Sequence, residues 1–297
     1  VEKWGDKPAG VADGVTPTVI GQGTPVTLGA KTDYDRWVEA NVVRGAANGT
    51  VSAYAWCALG DVTSTQFRAV AAMVREFDVD VRVTNRQNFV LRDLSEDQLP
   101  GLYERLTAVG MAAAGAELSR DVVACPGADT CNLAVTQSRG LAGAIGSALD
   151  EAGLAEVGGI RVNISGCTNS CGQHHAADIG FFGAERRAHG QPAPGYQMLM
   201  GGYVGQESIR FGQKALRLPA KNAPEATVRV VRQFVNEKTA GEHFHEWMER
   251  VGGVSEVAAG LKDLDQFPTP DEGPAYYVDY DETGPYAAEI GESECAT

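Results

Sequence analysis

The sequence has no apolar run long enough to cross a bilayer: every hydrophobic stretch is broken by charge, Gly or Pro well short of the roughly 18 residues a spanning helix needs. The start of the chain also lacks the basic-then-apolar pattern of a secretory signal, so the expected location is the cytoplasm, with no membrane partner. Clustered Lys and Arg are missing as well. With 25 Lys and Arg against 39 Asp and Glu, the formal net charge is -14, and a surface of that sign repels phosphate backbones, which excludes nucleic acid. No low-complexity tract, short repeat, or flavin or nicotinamide motif is present.

What remains is ordinary globular composition. Over 297 residues, 43% are hydrophobic and 22% charged, enough for two domains with separate cores. The acidic excess is concentrated from Asp263 to Glu294, which reads as a solvated tail lying over the body. Residues 1–35 are rich in Gly, Pro and Thr without periodicity and read as an arm or linker; the chain opens at Val1 rather than Met, so a fragment or a processed product is expected.

Between these ends the pattern sharpens. Val51 to Trp56 alternates like a strand, and Ser64 to Phe77 has helical apolar spacing behind a Thr/Ser start. Val79 to Thr84 and Phe89 to Leu94 read as strands, and Ser95 opens a helix with Leu99, Leu102, Leu106 and Val109 on one face. Strand, helix, strand, strand, helix predicts a ferredoxin-like α+β sandwich over 36–118. A second, α/β module is expected over 119–252, with a helix from Asn132 to Ala152, strands at Gly159 to Ile164, Ala177 to Phe182 and Tyr196 to Gly202, and helices at Pro224 to Lys238 and Glu242 to Val251. Residues 253–297 are left for a helix and the acidic tail.

Of the six cysteines, Cys57 and Cys295 stand alone. Cys57 follows an apolar strand and reads as a small buried hydrophobe, while Cys295 has no assignable role. The other four form two pairs, Cys125-Pro-Gly-Ala-Asp-Thr-Cys131 and Cys167-Thr-Asn-Ser-Cys171, each around a tight turn. Thiolates need a cation or a cluster nearby, and two loop pairs brought together supply the four soft ligands of an iron-sulfur cube. The first pair precedes a helix and the second follows a strand, so backbone N–H groups can point at the sulfurs. A structural zinc site also accepts four thiolates, although its pairs are usually about two to four residues apart. Disulfides fit less well in a chain without secretory features.

The run Ala124-Cys-Pro-Gly-Ala-Asp-Thr-Cys-Asn-Leu-Ala, followed by Asn163-Ile-Ser-Gly-Cys-Thr-Asn-Ser-Cys-Gly-Gln-His-His-Ala-Ala-Asp-Ile-Gly-Phe, resembles the siroheme/[4Fe-4S] signature of assimilatory sulfite and nitrite reductases. Weaker similarity reaches Arg82-Val-Thr-Asn-Arg-Gln-Asn on one side and Gly241-Glu-His-Phe on the other. The resemblance implies that Cys125, Cys131, Cys167 and Cys171 bind the cube, with the Cys171 thiolate bridging to the siroheme iron. It implies six-electron reduction of sulfite to sulfide or nitrite to ammonia, fed by ferredoxin or a similar one-electron donor. Siroheme is rich in carboxylates, which makes Arg82, Arg86, Gln87, Asn88 and Asn169 candidates for its pocket. His174 and His175 are expected to pack and hydrogen-bond behind the ligands rather than bind metal.

Full-length members of that family resemble two fused copies of one unit, and this chain resembles the second, C-terminal copy. The lysine pair that the first copy contributes to substrate has no counterpart here, so the resemblance implies that half of the active site comes from elsewhere: an absent N-terminal half, a partner chain or a homodimer mate. Arg86 is a feature of the first copy, and Thr168 replaces the more common Pro between the last two cysteines. Two other classes stay open: a non-catalytic iron-sulfur electron-transfer or scaffold subunit, and a structural four-cysteine zinc module.

Overall fold

The computed structural model describes residues 31–45, 49–205 and 208–288; most of the expected N-terminal arm and Cys295 lie outside them. A helix, α1 (Asp33–Asn41), begins inside the segment read as an unstructured arm. Its start is fixed locally: the Thr32 hydroxyl accepts from the Asp35 N–H, and the Asp35 carboxylate accepts from the Thr32 N–H, a reciprocal cap that the sequence reading passed over. Trp37 on its inner face is fully buried.

The first unit continues with β1 (Val42–Arg44), β2 (Val51–Ala55), α2 (Ser64–Phe77), β3 (Asp80–Val83), β4 (Phe89–Leu94) and α3 (Leu99–Ala108). Its sheet runs β1-β2-β4-β3 with every pairing antiparallel, and Leu99, Leu102 and Leu106 bury one face of α3 in the core beneath it. This is the expected ferredoxin-like arrangement, with one difference. The edge strand beside β2 comes from Val42–Arg44, ahead of the pattern, because three residues paired to β2 are too short to show period-two alternation.

The second unit holds β5 (Val123–Ala124), α4 (Ser138–Glu151), β6 (Val162–Ser165), β7 (Ile179–Ala188), β8 (Gln191–Met200), β9 (Tyr203–Val204), β10 (Ile209–Arg210), β11 (Gln213–Pro219), α5 (Ala223–Glu237), α6 (Phe244–Arg250) and α7 (Val254–Ala259). The five-stranded sheet has the order β11-β8-β7-β6-β5. β5, β6 and β7 pair in parallel, while β7, β8 and β11 are antiparallel. Buried side chains of α4 (Leu141, Ile145, Leu149) and α5 (Val230, Val231, Phe234) form the core with Ile164, Ile179 and Phe181 of the sheet.

Three sequence expectations change here. The strand predicted from Tyr196 starts at Gln191, and it is one arm of a hairpin turned by His189 and Gly190, both at positive φ, the two-residue turn that matches strand twist. The helix predicted from Asn132 starts at Ser138, because residues 131–137 bond sideways instead of along a helix: the Val135 N–H donates to the Gly166 carbonyl (2.8 Å) and the Ala128 N–H to the Thr136 carbonyl (3.0 Å). The acidic tail is not uniformly solvated either, since Tyr277, Asp279 and Tyr286 are buried against the second unit. No helix among the described residues is long and apolar enough to cross a membrane.

Candidate functional site

The site grows out of two neighbouring parallel strands. β5 pairs with β6 through Val123 opposite Asn163 and Ala124 opposite Ile164, and the Cys125 N–H extends the ladder to the Ile164 carbonyl at 3.1 Å. Cys125 therefore leaves the carboxyl end of one strand beside the point where Gly166 and Cys167 leave the other. Ligands of α/β sheets gather at such ends. The loops meet glycine on glycine: a Cβ on Gly166 would lie 2.9 Å from the Gly127 Cα and 2.8 Å from the Thr136 carbonyl oxygen, closer than any side chain tolerates. Gly127 itself sits at φ +67, with Ser138 against the place of its missing side chain.

These contacts bring the two cysteine loops together. The Gly166 N–H donates to the Cys125 sulfur at 3.2 Å, and the Ser138 hydroxyl lies 3.4 Å from the same sulfur. Cys125 and Cys167 are half-buried, while Cys131 and Cys171 face outward. Crowding around Cys171 raises its thiol pKa, and the negative charges of Cys125, Cys167 and Cys131 push it further in the same direction. Among the described residues, no three His, Cys, Asp or Glu side chains are gathered tightly enough to hold one metal ion.

The Cys171 loop is fastened from behind by two side chains on one face of β6. The Asn163 amide donates to the Gly172 carbonyl (2.9 Å), and the Ser165 hydroxyl accepts from the Gly172 N–H (3.1 Å). Any Cβ on Gly172 would collide with the Ile164 carbonyl. Replacing Gly172 by Ala is expected to lift the loop off β6 and to cost at least about 1–3 kcal/mol, the range for overpacked interiors; urea unfolding of the metal-free chain checks it, and an unchanged midpoint would refute the contact.

His174 is fully buried, with its Nδ1 2.8 Å from the Ser165 hydroxyl and its Nε2 without a partner; His175 stacks on it at 4.1 Å and reaches Ser170 through Nδ1 at 2.9 Å. Both rings pack and bond behind the second cysteine pair. Burial, reinforced by the neighbouring His175, pulls the His174 pKa down to about 4 from 6.5. Because the unfolded chain takes up a proton at this residue below pH 6.5 while the folded chain does not, this stabilisation is complete above pH 6.5 and drains as pH falls to about 4. The stability of a His174→Asn chain relative to the native chain should therefore rise by about 3 kcal/mol over that interval, at 1.36 kcal/mol per unit; urea midpoints at the two pH values test this. Asp178 has the opposite sign. Burial raises its carboxyl to about 7, so its contribution is lost as pH rises.

The other candidates separate. Arg82 is exposed on β3 and pairs with Asp80 (2.6 Å), and Asn169 is exposed in the loop between Cys167 and Cys171. Gln87 reaches the site, its amide donating to the Ala124 carbonyl at 3.0 Å. Arg86 and Asn88 are buried and already committed elsewhere: Arg86 donates to Glu117 (3.1 Å) and lies 3.8 Å from Asp121, while Asn88 donates to Asp121 (2.9 Å) and accepts from the Cys57 N–H (2.8 Å). Through Asp121 both side chains tie the units together. Cys57 is buried beside them, as expected. Sequence reading missed Asn163 and Ser165, although their period-two placement on a buried strand was a usable signal, and it missed Asp121, Asp279 and Tyr286, which carry none.

Comparison with known proteins places this architecture. The family model described as "Nitrite and sulphite reductase 4Fe-4S domain" matches residues 115–259, and that described as "Nitrite/Sulfite reductase ferredoxin-like half domain" matches residues 46–109. By these two matches the chain belongs to the sulfite/nitrite reductase family.

Among relatives, it is 36% identical over 160 residues to ferredoxin–nitrite reductase of Synechococcus elongatus, covering 54% of this chain and 30% of that protein. It is 32% identical over 200 residues to sulfite reductase [ferredoxin] of Mycobacterium tuberculosis, covering 64% and 36%. The solved structure of Mycobacterium tuberculosis NirA protein superposes with a TM-score of 0.60 at 30% identity, covering 71% of this chain and 40% of that one. Dissimilatory sulfite reductase I shares the fold at 12% identity, with a TM-score of 0.58 and coverages of 80% and 73%. The chain spans about a third of the length of the curated relatives it matches.

Proposed function

We propose that this chain is the C-terminal, cofactor-bearing half of a siroheme-dependent reductase that takes sulfite to sulfide or nitrite to ammonia in six one-electron steps. The observation that carries the reading is the meeting of two cysteine loops at the ends of adjacent parallel strands, with Cys125, Cys131 and Cys167 near enough to Cys171 to raise its pKa. Cys125, Cys131, Cys167 and Cys171 would hold the [4Fe-4S] cluster, and Cys171 would also face the siroheme iron. The donor set fits: four soft thiolates, backbone N–H donation to one sulfur, and loops that glycine alone can pack. A zinc ion, with its sulfurs about 2.3 Å from one centre, draws its ligands tighter than an iron-sulfur cube does. Bound together, the two groups would supply single electrons and an open iron position for the anion.

The chain's own residues orient that site. Asn163 and Ser165 set the Cys171 loop against β6, Ser138 and Gly166 set Cys125, and Gln87 brings the ferredoxin-like unit to the first loop. Arg82 and Asn169 remain open to siroheme carboxylates, while the roles of Arg86 and Asn88 lie in joining the units. Sulfite or nitrite, ferredoxin or a similar donor, and the second half of the active site, as a longer chain, a partner or a homodimer mate, are the partners of this reading.

Anaerobic purification with siroheme supplied tests it. Iron in slight excess over acid-labile sulfide, the siroheme iron adding to the equal amounts of the cube, is expected with a Soret band and a red band. A broad shoulder without those bands would favour the non-catalytic electron-transfer or scaffold subunit, and zinc without iron would remove the reading altogether.

A further inference from the structure

The described tail extends past residue 259, where the family match ends, yet it does not leave the protein. It is anchored at its base to the start of α5: the Tyr276 hydroxyl donates to Asn222 (2.7 Å), the Tyr280 hydroxyl donates to the Ala220 carbonyl (3.3 Å), and the Lys221 ammonium sits 3.9 Å from the centre of the Tyr280 ring. From there it crosses the segment that joins Cys131 to α4. The buried Asp279 carboxylate accepts from the Gln137 N–H (2.9 Å) at the head of that helix, the Gln137 amide donates to Glu282 (2.8 Å), and the Tyr286 hydroxyl donates to the Val135 carbonyl (2.7 Å). Gly140 on the first turn of α4 has no room for a Cβ, because Tyr280 and Asp281 lie against it.

The segment held in this way is the one that positions the first cysteine pair. Val135 donates to Gly166, Thr136 accepts from Ala128, and Ser138 donates to the Cys125 carbonyl (2.7 Å) and touches its sulfur. Between strap and loop lies a cavity of about 420 Å³, walled by Cys131, Asn132 and Gln137 on one side and by Asp279, Glu282 and Tyr286 on the other.

We propose that residues 276–286 form a strap whose Asp279 and Tyr286 are positioning residues for Cys125 and Cys131, acting through the Val135–Ser138 segment. This rests on the reading of those cysteines as cluster ligands. In the absence of the two contacts the Val135 carbonyl and the Gln137 N–H lose their partners, and residues 131–137 slip against Gly166. The strap thereby sets how closely the first pair stands to the second.

The test uses the whole chain and the variants Asp279→Ala, Tyr286→Phe and Asp279→Asn, the last keeping one oxygen acceptor. Alkylation of each cysteine by iodoacetamide is followed on the metal-free chain by peptide mass spectrometry, and the EPR g values of the reduced, reconstituted chain are recorded. Cys125 should label about tenfold faster in Asp279→Ala and Tyr286→Phe, the change one lost buried hydrogen bond brings, with partial recovery in Asp279→Asn and shifted g values in the two disrupted variants. Equal labelling at Cys125 overturns the proposal, as do unshifted g values, or a rise spread over Cys57, Cys167 and Cys171, which reports general loosening. Because alkylation needs no cluster, a chain that takes up no iron sinks the functional reading while the labelling still decides on the strap.

Discussion

Under the proposed function, Cys171→Ser in the complete enzyme should abolish reduction of sulfite or nitrite by reduced methyl viologen while leaving the fold intact. The side chain faces outward, and its loop is fastened through Gly172 to Asn163 and Ser165, not through the sulfur, so an isosteric hydroxyl removes no packing. What it removes is a soft anionic donor, since a serine oxygen ionises poorly and suits iron-sulfur ligation badly. Loss of an outer partner of a metal site costs about 10–100-fold in affinity or activity, and under the proposed function, in which Cys171 would be a ligand itself, its loss should exceed that. Turnover, iron content and the Soret band measured side by side with the urea midpoint separate loss of chemistry from loss of folding. Unchanged turnover would refute the role of this cysteine.

Asp121→Ala should be the most damaging single change to stability, at about 3–5 kcal/mol, the range for breaking a buried charge pair. Asp121 is buried, and its carboxylate receives the Asn88 amide (2.9 Å), the Trp56 indole N–H (3.2 Å) and the Glu117 N–H (3.0 Å) while facing Arg86 at 3.8 Å. Burial raises its pKa and the Arg86 guanidinium opposes that rise. Truncation leaves the arginine, only 6% exposed, with Glu117 as its one remaining carboxylate, and strands three donors in the seam between the ferredoxin-like unit and the cysteine loops. Asp121→Asn keeps an acceptor and the shape of the side chain and should cost less. A urea series on both variants checks the order, and equal midpoints for Asp121→Ala and the native chain would show that the network does not hold the seam.

Arg86 shows what the fold adds to a sequence motif. An arginine in a motif that resembles a cofactor-binding segment is a natural candidate for carboxylate recognition, but its choice of anion depends on which carboxylates the fold brings near it. Here the carboxylates within its reach are Glu117 and Asp121. The helix expected from Asn132 is a similar case: residues 131–137 have acceptable helical spacing, and what keeps them from it is the Gly166 carbonyl on another strand. By contrast α2 and β4 have the predicted bounds, since each signal lies within a few residues: a Thr63 cap on Gln66 for the helix, and apolar alternation for the strand.

The amino-acid order alone determined the four thiols in two tight loops, the ferredoxin-like succession of elements ahead of them, and hence the family, because donor type, turn chemistry and hydrophobic period are all properties of short stretches of chain. Tertiary structure decided the rest. It chose which cations and amides stay free, supplied the edge strand β1, and laid the acidic tail across the first cysteine loop through bonds between residues 142 and 151 positions apart. Such partners are selected by the packing of whole units, in which a buried donor accepts whichever oxygen the fold delivers within about 3 Å, and no local pattern encodes that choice.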